Sequence, residues 1–235
     1  MLVSVLKYAE KHEWMHSNPA SKVPKLKMGD EDMTPRDEVD RTILSGSEFR
    51  RVIGNADPEW RLIITMAGLA GLREGELRGL RWKCVDFDKG EVQVRQQFTS
   101  GKFSTLKSKT SRRTVPLGKE VIHKLRKHKM ASKWAKADDL VFPSSKGTPC
   151  GLKYMVNAWK DAVRKSKLSA RPFHSLRHSY ASAMLRNNIN VKVASVLMGH
   201  ASVAFTLGVY SHLLPDDTAD VGEKVAPAML RGSKK

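Results

Sequence analysis

The stretch that most limits what this chain can fold into runs from His174 to His212 and reads HSLRHSYASAMLRNNINVKVASVLMGHASVAFTLGVYSH. Asn190 can cap a helix from Val191 to Met198, and Gly199 is its C-terminal stop. Ser202 can cap the next helix, which carries Tyr210. If a helix begins near Phe173, just after Pro172, His174 and Arg177 share one face. His200 falls in the turn between two helices, where its side chain can reach back toward that face. Short helices joined by tight turns thus gather cationic and hydrogen-bonding groups around one phenol.

That set suits phosphoryl transfer to a tyrosine. A phosphodiester under attack spreads negative charge over its non-bridging oxygens. Arginines can clamp those oxygens in a bidentate fork, and histidines can add donors or exchange protons. A tyrosine hydroxyl has an ordinary pKa of about 10, so it needs help to act as a nucleophile near neutrality. The stretch holds no carboxylate pair for magnesium, which points to chemistry without a metal.

A second arginine, Arg73, stands far upstream in Ala67-Gly-Leu-Ala-Gly-Leu-Arg73-Glu-Gly-Glu76-Leu77. With GLREGEL, HSLRH, LMGH and YSH in this order, the chain resembles the tyrosine recombinases of the phage integrase family. The resemblance implies DNA cleavage through a covalent 3′-phosphotyrosine and rejoining without a metal or high-energy cofactor. It places Arg73 and Arg177 on the scissile phosphate and His174 and His200 on its oxygens. His174 becomes a candidate proton acceptor for the nucleophile, Tyr210. Glu76 becomes a supporting residue.

The segment LKSKTSRRTVPL resembles the family pattern that carries the general acid. This puts Lys107 on that position, with Lys109 as the alternative; Lys109, Arg112 and Arg113 are candidate DNA contacts. His178 and His212 are given no chemical role beyond local packing or bonding. The chain departs from the family pattern at Met198, where leucine is usual, and at Phe205, where a small polar residue is frequent.

Forty-two Lys and Arg against 24 Asp and Glu give a net charge of +18, which favours a polyanion partner. Two cysteines, Cys84 and Cys150, make no disulfide framework. No apolar run approaches a membrane span, and no signal-peptide pattern opens the chain. The expected setting is therefore the cytoplasm, bacterial or phage-infected.

The expected fold class is α+β: a mainly α-helical catalytic domain with a small three-stranded antiparallel sheet. Residues 1–20 read as the last helix of a truncated core-binding domain, ending in Asn18-Pro19-Ala20, a turn the family shares. Residues 21–44 read as a linker, 45–215 as the catalytic domain and 216–235 as a tail. The resemblance implies double-stranded DNA core sites as substrate and a tetramer on DNA; the tail is expected either to dock onto a neighbouring protomer or to fold onto its own domain.

Ser47 is expected to cap a helix to Ile53, and Asp57-Pro58 to open a longer one whose core includes Trp60, Ile63, Ile64, Ala67 and Leu69. Strands are expected over Val85–Phe87, Glu91–Phe98 and Arg112–Leu117, with a turn at Asp88-Lys89-Gly90. Met130 is assigned to packing, and Trp134, Tyr154 and Trp159 to the core. Two other readings fit parts of the pattern: a type IB topoisomerase-like enzyme with the same chemistry, and a non-catalytic helix-turn-helix binder. The second leaves Arg73 and the spaced histidines and tyrosine unexplained.

Overall fold

A computed structural model of the chain describes residues 2–19, 36–106, 111–214 and 225–226. The chain divides into two compact units, Met1–Pro35 and Arg36–Lys235. The first holds helix α1 (Leu2–Lys11), and Glu10 accepts a hydrogen bond at 3.0 Å from the backbone of Asn18. The expected linker and tail fall largely outside the described residues. Residues 36–42 of that linker, however, form helix α2 (Arg36–Thr42), with Val39 fully buried.

Helix α3 (Gly46–Asn55) is capped by Ser45, two residues before the expected Ser47. The reason is the carboxylate three residues on. Glu48 donates its backbone N–H to Ser45 Oγ at 3.2 Å, and its side chain accepts from Ser45 N at 2.8 Å. Only Ser45 has a Glu at that spacing, so only it can close the reciprocal box. Helix α4 (Pro58–Ala70) opens as expected, with Asp57 accepting from Glu59 N and Pro58 in the first turn. Its Ile63, Ile64, Met66 and Ala67 are buried, whereas Leu69 faces out and Trp60 is half-buried.

Helix α5 (Glu74–Gly79) follows and leads through a 3₁₀ turn, Trp82–Cys84, into strand β1 (Val85–Asp86). The long second strand expected over Glu91–Phe98 is instead two. Strand β2 (Glu91–Val94) buries Val92 and Val94; the apolar alternation then fails at Arg95, Gln96 and Gln97. Strand β3 (Gln96–Thr99) leaves to pair with β4 (Lys102–Thr105) in a separate hairpin, and β5 (Arg113–Pro116) takes its place beside β2. The sheet is three-stranded and antiparallel in the order β1-β2-β5, with Val92 opposite Val115. The β3–β4 turn uses Ser100 and Gly101, both at positive φ, which matches the twist of tightly paired strands. This hairpin lies on α5 because Gly79 has no side chain: a Cβ there would sit 3.0 Å from the Gln97 backbone.

Helices α6 (Lys119–Ala131) and α7 (Leu152–Lys165) cover the main core, which gathers Ile64, Leu77, Val92, Leu125 and Trp159. Met130 and Tyr154, assigned to packing, are exposed, and Trp134 is half-buried. Helices α8 (Ser175–Arg186), α9 (Val191–Met198) and α10 (Val203–Tyr210) close the molecule with the caps that Asn190 and Ser202 were expected to supply. They enclose a second, smaller core of Val39, Ala181, Met184, Leu185, Ala194, Met198 and Tyr210. The protein is thus mainly helical with a small antiparallel sheet. Among the described residues no single helix is long and apolar enough to cross a membrane.

Candidate active site

Helix α8 runs through the interior, and Arg177 on it is only 1% exposed. A guanidinium so deeply buried requires hydrogen-bond partners. Arg177 donates from Nη1 to the Gly71 carbonyl at 2.6 Å and from Nη2 to the Met198 carbonyl. Arg73, just before α5, donates from Nη2 to the Gly199 carbonyl at 3.3 Å. Arg113, on β5, donates from Nε to the Leu197 carbonyl at 2.6 Å. Three arginines from distant parts of the chain therefore end on the consecutive carbonyls of Leu197, Met198 and Gly199. These are the last carbonyls of α9, where no intrahelical donor remains and the helix dipole is negative. Gly199 stops the helix at φ +65°, and a Cβ on it would meet Arg113 Nη1 at 3.0 Å.

Glu76 joins two of these arginines from the other side. Its carboxylate accepts from Arg113 Nη1 at 2.7 Å and Nη2 at 2.8 Å, from Arg73 Nη1 at 3.3 Å and from Arg73 N at 2.8 Å. Burial by itself would push the Glu76 carboxyl up. The Arg113 guanidinium, with Arg73 and Arg177 beyond it, outweighs that and holds the carboxyl down at about 2. Near neutral pH Glu76 is thus an anion that fixes two cations in place.

The next residue after the carbonyl trio is His200, which is buried. Its Nδ1 is hydrogen-bonded to Thr206 Oγ1 at 2.8 Å, and its ring lies parallel to the Tyr210 ring, centroids 6.5 Å apart. Tyr210 ends α10 and is 2% exposed. Its hydroxyl is hydrogen-bonded to His178, whose Nδ1 lies 2.5 Å away. His178 is followed one helical turn back by His174, their rings edge-to-face at 4.7 Å. His212, two residues past Tyr210, is hydrogen-bonded to Asp40 of α2.

Of the residues singled out from sequence, Arg73, Arg177 and His200 meet around the end of α9, with Glu76 beneath Arg73. Tyr210 stacks beside His200, and His174 stands at the start of α8. Lys107 and Lys109 lie outside the described residues. Arg112 is exposed, donating from Nε to the Leu106 carbonyl at 2.7 Å. Arg113, a candidate DNA contact, is instead 4% exposed and committed to Glu76 and Leu197. The signal for this was present: Arg113 and the core residue Val115 are two apart on one strand, so they face the same side.

Sequence reasoning also left out Thr206, which orients His200, and gave His178 no part beside the phenol. His178 lies four residues after His174, a helical spacing that marks a shared face. Among the described residues, no three or more His, Cys, Asp or Glu side chains form a group that could hold a metal ion.

The sequence also matches known proteins. The model of the phage integrase family matches residues 43–216. A tyrosine recombinase XerC-like protein of Caldanaerobacter subterraneus subsp. tengcongensis is 27% identical over 218 residues, covering 81% of this chain and 56% of its own length. Tyrosine recombinase XerC of Xanthomonas axonopodis pv. citri is 31% identical over 172 residues, covering 73% of this chain and 52% of its own. The chain spans about half the length of the curated relatives it matches.

Among the solved structures that share the fold are two integrases. The Tn1549 transposon integrase in complex with transposon right end DNA has a TM-score of 0.67 at 21% identity, over 96% of this chain and 76% of that one. The catalytic domain of bacteriophage HP1 integrase has a TM-score of 0.57 at 20% identity, over 81% of this chain and 98% of that one. With the family model matched across most of its length, and with Arg73, Arg177, His200 and Tyr210 gathered at one site, the chain belongs to the phage integrase family of tyrosine recombinases.

Proposed function

We propose that this chain performs site-specific DNA recombination, cutting and rejoining strands through a 3′-phosphotyrosine at Tyr210. The observation that carries this reading is the convergence of Arg73, Arg177 and His200 at the end of α9, with Tyr210 stacked on His200. Two donors held on carbonyls fix the plane of Arg177, so its cation is set before substrate arrives. Preorganised donors of this kind stabilise charge as it develops on the non-bridging oxygens. His174 and His200 add donors to the same oxygens. The Tyr210 oxygen attacks phosphorus, the bond to the 5′ oxygen breaks, and Lys107, or Lys109, protonates the departing oxygen. The phosphotyrosine conserves the energy of the broken bond, so rejoining needs no ATP.

Duplex DNA as substrate is supported by the net charge of +18 and by the DNA-bound state of the structurally similar Tn1549 integrase. Assembly as a tetramer on DNA, and a cytoplasmic setting, belong to the same proposal.

The test is to trap the protein on a library of nicked suicide duplexes and to map the adducts. The parent protein should become covalently attached to the 3′ side of a defined cut. Tyr210→Phe should lose attachment while its DNA affinity changes less than about twofold, because phosphate contacts dominate such interfaces. Attachment persisting in Tyr210→Phe would remove Tyr210 from this role. A helix-turn-helix binder would give no adduct with either protein.

A further inference from the structure

The hydroxyl proton of Tyr210 must leave for the oxygen to attack, and the structure offers it a destination to which the family resemblance gave no chemical role. We propose that His178 accepts this proton; the proposal rests on the reading of Tyr210 as nucleophile. His178 Nδ1 is 2.5 Å from the Tyr210 hydroxyl, within the reach that proton transfer needs. Both residues are 2% exposed, so bulk water does not compete for the proton. The arrangement is held on both sides. His174 packs edge-to-face on the His178 ring at 4.7 Å, and His200 lies parallel to the phenol. Arg177 precedes His178 on α8, so one turn of helix supplies both a phosphate clamp and the acceptor.

The bond from Tyr210 Oη to phosphorus forms as the phenolic proton passes to His178 Nδ1. The ring, neutral with its hydrogen on Nε2, becomes an imidazolium. The bond from phosphorus to the 5′ oxygen breaks, its electron pair leaves on that oxygen, and the lysine ammonium protonates it. In rejoining, the 5′ hydroxyl gives its proton to the lysine amine and its oxygen attacks phosphorus, the bond from phosphorus to Tyr210 Oη breaks with its electron pair leaving on Oη, and the imidazolium protonates Oη. His178 is therefore a catalytic residue for both half-reactions, and His174 serves the phosphate and steadies the His178 ring.

The test uses the full chain and the nicked duplex recovered by adduct mapping, with single-turnover cleavage as the readout. His178→Asn places an amide where Nδ1 stood, keeps a hydrogen bond to the phenol and cannot take a proton. It should cleave about 100-fold or more slowly, the range typical of a lost general base, with unchanged DNA binding. Replacing Tyr210 by 3,5-difluorotyrosine supplies a more acidic phenol that depends less on a base. It should restore His178→Asn at least tenfold while changing the parent rate little.

Cleavage by His178→Asn within threefold of the parent would overturn the proposal. So would an equal effect of fluorination in the two backgrounds. If Tyr210→Phe still forms adducts, the nucleophile reading fails first, which separates the two failures. An independent arm needs no DNA. The ¹⁵N imidazole signals of His178 should show an unprotonated Nδ1 that shifts in Tyr210→Phe. A protonated Nδ1 donating to the phenol oxygen would overturn the proposal without any cleavage assay.

Discussion

Arg113 and Arg112 are neighbours in sequence with opposite environments. Arg112, in the bend just before β5, meets solvent, whereas Arg113 opens the strand on the same face as Val115 and enters the interior. A buried guanidinium without a counter-charge would be costly, and Glu76 supplies the charge. Glu76→Ala should cost about 3–5 kcal/mol in urea unfolding at neutral pH, because it strands Arg113 in the interior. The pH dependence follows from the direction of the shift. The folded carboxyl sits at about 2 against an ordinary 4.5, so its contribution is complete above pH 4.5 and is lost as pH falls toward 2. Parent stability should decline through that window more steeply than that of Glu76→Ala; equal slopes would show that Glu76 is not the titrating group. Arg177→Lys exchanges a planar fork on two carbonyls for a point charge. Suicide-substrate cleavage should fall about 100-fold or more, with DNA affinity retained.

At the scale of elements, the C-terminus of α9 organises the site. Its unpaired carbonyls recruit Arg113, Arg177 and Arg73, and the residue that ends the helix sets where His200 emerges. Gly199 suits this place for two reasons: its φ is +65°, and Arg113 occupies the space a Cβ would take. Gly199→Ala should therefore lower stability by about 1–2 kcal/mol from the left-handed backbone alone. Cleavage should fall by more than that loss of folded protein explains, since Arg113 and His200 both shift. Thermal unfolding and cleavage measured on the same samples would separate the two effects. Helix α2 shows the converse dependence. It carries few apolar residues, yet it is held by Val39 in the second core and by Asp40 on His212.

For the whole molecule, the division into two cores has a functional consequence. The larger core of α3–α7 and the sheet positions Arg73, Glu76 and Arg113, while the smaller core of α2 and α8–α10 contains the Tyr210 ring itself. The candidate nucleophile is therefore a packing residue as well as a chemical one. Across the surface, the excess of 42 basic over 24 acidic side chains should make DNA binding strongly salt-dependent. A contact surface of six to ten phosphates would lose about 10³–10⁵ in affinity between 50 and 200 mM salt. A nearly flat dependence in filter binding would mean that few phosphates are touched.

What the sequence determined by itself is local. Asn190, Gly199 and Ser202 set the ends of α9 and α10, because caps and stops act within one turn. The order of the four motifs identified the family, and the spacing of His174 and Arg177 nominated candidate site residues, before any contact was known. What only the tertiary structure decided is which partners these groups choose. Arg113 pairs with Glu76 from 37 residues away, Arg73 reaches Gly199 across 126, and His178 meets Tyr210 across 32. No local rule encodes such pairings. They are set by which buried polar groups remain to be satisfied once the two cores have packed, and that is a property of the closed fold.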